Sequence, residues 1–115
     1  MSAKNLIRAA ALLMFLCAVL HTLAWKRAQV DFAPEARQMA ALLWFLLGID
    51  WVVISGLWAI GAAQGAVART QLLLSSVVPI AVAIGLVLTI GPRFFPVYLQ
   101  LGAAGLLMLG AMRLT

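Results

Sequence analysis

The sequence predicts an all-α integral membrane protein, a bundle of four transmembrane helices, and three observations lead there. Hydrophobic residues make up 66% of the 115 positions and charged ones only 10%, for a mean hydropathy of +1.13, far more apolar than a water-facing domain. The apolar residues gather into four stretches, each close to or above the ~20 helical residues needed to cross a hydrocarbon core. So little chain remains between them that no soluble domain fits. The expected helices cover residues 6–25, 36–63, 71–90 and 95–112 of a single transmembrane domain, 1–115.

The first stretch follows Lys4 and Arg8 and ends near Thr22, Leu23 and Ala24, a pattern similar to a secretory signal. Its apolar run is about 20 residues rather than 7 to 15, and three further spans follow, so it is read as a retained first helix. Cys17 stands alone in mid-run. It is expected to pack as a small hydrophobe, because a reactive thiol needs an accessible, electropositive setting. His21, the one histidine, falls about a turn from the end of this helix.

Between the first two stretches, Lys26, Arg27, Asp31, Glu35 and Arg37 form the one substantial polar loop. Pro34 suits the first position of the second helix, and Glu35 in the first turn complements the helix dipole. That helix contains the strongest single signal. Asp50 lies in an otherwise uncharged segment from Met39 to Ala63, where a carboxylate costs about 2.5 to 3.5 kcal/mol to insert and marks a candidate functional site. Either it titrates against a water-filled crevice, or it is hydrogen-bonded to a neighbouring helix and holds the bundle together. Trp44, Trp51 and Trp58 recur every seven residues along one stripe of the same helix. Trp44 and Trp58 fit interfacial aromatic belts; Trp51, at mid-membrane, must lie against lipid or another helix, and the stripe is read as packing or as the wall of a binding cleft.

The third stretch follows Arg69 and contains Pro79, which is expected to kink it, with Ser75 and Ser76 satisfying the freed carbonyls. Gly91, Pro92, Arg93 and Pro96 make a tight connection into the fourth. Gly48, Ser55, Gly56 and Gly61 on the second helix, Gly61 and Gly65 at four-residue spacing, and Gly102, Gly105 and Gly110 on the fourth favour close helix contacts.

The net charge of +5 comes from basic residues scattered singly or in pairs beside apolar runs, whose partners are lipid phosphates and water rather than nucleic acid. Four basic residues fall on each side of the membrane. The free amine and the weight of the first helix favour both termini in the cytoplasm. No cofactor, metal or catalytic residue is expected: one His and one Asp fall short of the three or four ligands zinc takes. The candidate ligand- or proton-binding residues are Asp50, His21, Trp51, Tyr98 and Gln100. Alternating helix directions put His21, Thr22, Thr89, Tyr98 and Gln100 at comparable depth, with Asp50 about six residues, or ~9 Å, deeper.

In length and span number the chain is similar to the small multidrug resistance transporters. Their marker, a glutamate in the first helix, has no counterpart here, where the acidic residue is Asp50 of the second. Leu20, His21, Thr22 and Leu23, followed by a Trp-rich second helix, resemble small four-helix bacterial inner-membrane proteins, the DoxX-like ones among them. That resemblance implies a fold and a location in the inner membrane, with no activity attached. The functional expectation is an accessory or scaffold subunit packing against a larger membrane complex. The alternative is a homo-oligomeric, proton-coupled small transporter or channel using Asp50; a lipid or quinone held near His21 is a third reading.

Overall fold

The structure is a computed structural model and describes residues 1–115. Helix α1, Ala3–Ala28, starts where the Ser2 hydroxyl accepts from the Asn5 amide at 3.2 Å, and it ends with Lys26 and Arg27 in its last turn, where cations face the carbonyl end of the dipole. A 3₁₀ turn, Gln29–Asp31, continues it. Arg37 closes the loop by donating from Nε to the Gln29 carbonyl at 3.0 Å and from Nη2 to that of Phe32 at 3.4 Å. Helix α2, Pro34–Gln64, opens on its proline, whose missing N–H is one that a helix start leaves free anyway. Helices α3, Arg69–Ser75, α4, Val77–Thr89, and α5, Phe95–Met112, complete the chain.

The all-α expectation holds; the count of four separate helices does not. Three continuous helical runs are long and apolar enough to cross a membrane, Ala3–Asp31, Pro34–Thr89 and Phe95–Met112. The expected second and third helices are joined because Gly65–Ala68 stays wound as a 3₁₀ turn rather than opening into a loop. Nothing in Ala66, Val67 and Ala68 competes with that winding. The joined run nevertheless doubles back. Trp58 Nε1 donates to Ser75 Oγ at 2.9 Å, whereas 17 positions of straight helix would separate them by about 25 Å. Reversal is possible at Gly65, whose φ of 72° is in the left-handed region that glycine takes without steric penalty.

A second break separates α3 from α4 at Ser76. Pro79 lacks an N–H, and its ring crowds the carbonyl four residues back, at Ser75. The serine hydroxyls turn onto earlier carbonyls, Ser75 Oγ to Leu72 at 2.9 Å and Ser76 Oγ to Leu73 at 2.6 Å. The kink expected from the sequence is thus a one-residue turn at Ser76, whose backbone stays right-handed and whose N–H still bonds to the Leu72 carbonyl.

Helix α1 packs against both α2 and α5, α4 packs on α5, and α3 touches α2 and α5. The result is a molecule of 52 × 25 × 19 Å, with α1 and α5 in the middle and α2 and α4 at the edges. Its core is assembled largely from Ile7, Ala10, Met14, Trp58, Leu72, Ala103 and Leu107. Small residues permit the close approaches. A Cβ on Gly110 would stand 2.7 Å from Ile7 Cγ1 and 3.0 Å from the Ala3 carbonyl oxygen, and one on Gly61 would stand 2.8 Å from Leu72 Cδ2. Large apolar side chains such as Leu12, Leu43, Ile49, Val53, Ile60 and Leu88 cover the outside.

Gly110→Ala is expected to push α1 off α5 and lower stability by about 1–3 kcal/mol, the usual cost of overpacking. Gly56→Ala, whose Cβ meets nothing within 4 Å, should gain about 0.5–1 kcal/mol from helix propensity. Denaturant unfolding of both variants in detergent micelles checks the contrast; equal effects would disprove it.

Candidate functional site

The sequence pattern of α2 turns the Trp stripe inward. Gly48, Trp51, Ser55, Trp58 and Ala62 are all buried, and Ser55 Oγ donates to the Ala11 carbonyl of α1 at 2.8 Å. Gly48 is small because Thr22 Oγ1 would lie 3.1 Å from any Cβ there. Trp58, expected in an interfacial belt, is instead 1% exposed, with its indole N–H held by Ser75.

At the other end of the stripe, α1 and α2 hold each other reciprocally. His21 Nε2 donates to the Trp44 carbonyl at 2.9 Å, and Trp44 Nε1 donates to the His21 carbonyl at 2.7 Å. The two rings stack with centroids 4.3 Å apart and 7° between planes. A carbonyl can only accept, so Nε2 carries a proton; in the neutral ring Nδ1 keeps its lone pair, and it makes no hydrogen bond within the chain. Trp51 tilts over the same imidazole at 5.0 Å, while Trp25 packs on Trp44 at 5.5 Å. His21 therefore acts as an interhelical residue inside an aromatic cluster.

Beside this cluster lies a cavity of about 240 Å³ where α1, α2, α4 and α5 meet, walled by residues such as His21, Trp44, Trp51, Leu86, Phe94 and Gln100. No charged side chain lines it. Gln100 is 1% exposed, and neither its Nε2 nor its Oε1 has a hydrogen-bond partner. A buried amide left so costs the full desolvation of its polar atoms, on the order of 1–3 kcal/mol.

Of the five candidate residues, the structure thus gathers His21, Trp51 and Gln100 and leaves two apart. Tyr98 is 58% exposed on the outside of α5. Asp50 is exposed on the outer face of α2, and its carboxyl makes no hydrogen bond within the chain. Neither role weighed for it, a carboxylate in an internal crevice or one bonded to a neighbouring helix, is formed within a single chain. The reason is rotation: one residue turns a helix by about 100°, so Trp51 facing in carries Asp50 out. Of the other polar residues expected at this depth, Thr22 Oγ1 donates to the Ala18 carbonyl at 2.9 Å and Thr89 Oγ1 to that of Gly85 at 2.7 Å, each serving its own helix. Among the cavity residues that were not candidates from the sequence, Trp44 is the one that hydrogen-bonds to His21. Its signal was the seven-residue spacing shared with Trp51.

No protein-family model matches the chain, and neither does any curated protein or solved structure.

His21→Leu and Trp44→Phe are each expected to cost about 1–2 kcal/mol of unfolding free energy, and the double variant about 1 kcal/mol less than their sum, because both dismantle the same clasp. A double-mutant cycle in micelles measures this; additivity within about 0.3 kcal/mol would show the two bonds to be independent.

Proposed function

We propose that the protein is a small integral membrane subunit that docks through the outer face of α2 onto a transmembrane helix of a different protein, with Asp50 as the point of recognition. In this reading the Pro34–Thr89 run crosses the bilayer twice, on either side of the reversal at Gly65, so that the chain makes four crossings. Both termini then share one side, assigned to the cytoplasm of a bacterial inner membrane.

The observation that carries the reading is the exposure of Asp50 on an apolar surface. Leu43, Leu46, Val53, Leu57 and Ile60 are exposed with it and alternate with it at spacings of three and four, the seam of a helix that pairs lengthwise with another. A carboxylate facing hydrocarbon costs about 2.5–3.5 kcal/mol, and an interhelical hydrogen bond recovers part of that. Charge complementarity favours a different protein over a second copy. All eight basic residues of this chain lie near the ends of the apolar segments or beyond them, so a copy offers Asp50 only another carboxyl at that depth. A partner with a basic or amide side chain at mid-membrane offers a donor. A proton-coupled carrier would need Asp50 on the pathway, and the carboxylate stands outside the cavity walls, which favours docking.

Native mass spectrometry of tagged protein extracted in nanodiscs from its own membranes tests this. A second protein in stoichiometric amount is expected, with its occupancy falling at least about tenfold in Asp50→Leu, since hydrogen bonds to charged groups are worth about 1.5–3 kcal/mol. Asp50→Asn, which keeps an acceptor, should retain more. A homodimer alone, or a partner held equally by Asp50→Leu, would refute the proposal.

A further inference from the structure

The cavity beside His21 is separate from the α2 docking face, and the unpartnered amide of Gln100 gives it a chemistry of its own. We propose that it is a binding site for a small, uncharged aromatic molecule whose polar edge sets a hydrogen-bond donor beside an acceptor, as a primary carboxamide does.

Size, walls and polarity each fix one part of that description. An apolar cavity of roughly 150 Å³ suffices to hold benzene. At about 240 Å³, this one holds a benzene ring with a substituent of a few heavy atoms. The walls include Trp44, Trp51 and the His21 imidazole, an environment that favours a planar ring in aromatic contact over a flexible chain. With no charged group on the walls, an ionised ligand would be desolvated without compensation.

The polar edge is specified by Gln100. Its amide combines a donor, Nε2–H, with an acceptor, Oε1, and both are unpartnered. The matching edge is therefore acceptor beside donor, which closes two hydrogen bonds at once. The amide atoms are tightly enclosed, so the side chain must rotate about its own bonds to present them to a ligand, and it breaks no hydrogen bond in doing so. Gln100 is on the second turn of α5, whereas Phe94 precedes that helix; a ligand with its polar edge on Gln100 would leave its ring toward the tryptophans and Phe94. Gln100 is then a selectivity group, since a buried site built for two hydrogen bonds discriminates strongly against an analogue that lacks them.

The test uses 4-fluorobenzamide, 4-fluorotoluene as the same ring without the polar edge, and the full-length protein in nanodiscs, read by ¹⁹F NMR with displacement by unlabelled benzamide. Comparing wild type with Gln100→Leu in identical nanodiscs cancels partitioning into lipid. Saturable binding of 4-fluorobenzamide is expected in the wild type, weakened at least about tenfold in Gln100→Leu, with 4-fluorotoluene bound equally or more tightly by the variant. That variant should fold, because it removes an unsatisfied amide, and an unchanged or raised thermal midpoint confirms it. Absence of saturable benzamide binding, as when water alone fills the cavity, overturns the proposal. So does a variant that binds both probes as the wild type does, or that loses both alike.

Discussion

The reciprocal clasp between His21 and Trp44 fixes the rotation of α2, and the rest of the site follows from that rotation. Each ring donates to the other residue's carbonyl while the two stack, so neither helix can turn about its axis without losing two hydrogen bonds and an aromatic contact together. Bonds of this kind count for more where no water competes for the freed donors. Ser55 on the Ala11 carbonyl and Trp58 on Ser75 repeat the constraint further along α2. Three fastenings on one stripe give the helix an inner and an outer face despite its almost uniformly apolar sequence.

That uniformity explains what the sequence could and could not convey. Hydrophobicity identifies a buried stripe only when the opposite stripe is polar, and α2 is apolar all round. Depth along the helix was legible, and so was the oddity of Asp50 at mid-length. Its direction was not, because Leu, Ile and Val on every side serve a protein interior and a lipid surface equally well. The tryptophans held the missing information: indole N–H groups need acceptors when buried, and a stripe interleaved with Gly48, Ser55 and Ala62 is a stripe for close approach. Gln100 was placed at the right depth beside His21, yet its complete burial depends on α5 lying centrally between α1 and α4, which no local pattern encodes.

The backbone divides similarly. Pro34 at the head of α2, Ser2 as a cap and the Pro79 disruption are local chemistry and were legible. The junction at Gly65–Ala68 was less so, since residues 64–70 were left as a connection between two expected helices and the chain instead stays wound. Gly65 is the only residue there able to take a φ of 72° without strain, so a single glycine reverses a run that the 3₁₀ turn then keeps wound.

The turn at Ser76 has a mechanical meaning. Ser75 accepts from Trp58 and donates to Leu72, which pins α3 to α2, whereas the 13 residues of α4 beyond the break have no such bond to α2. Helix α4 is thus a lever about 20 Å long, with its fulcrum at the serines and Leu86 of the cavity wall toward the end that the Gly91–Phe94 turn ties to α5. A change of about 10° at that fulcrum displaces the far end by roughly 3 Å. A pivot pinned by one hydroxyl thus converts a small angular change into a displacement of the cavity wall at Leu86.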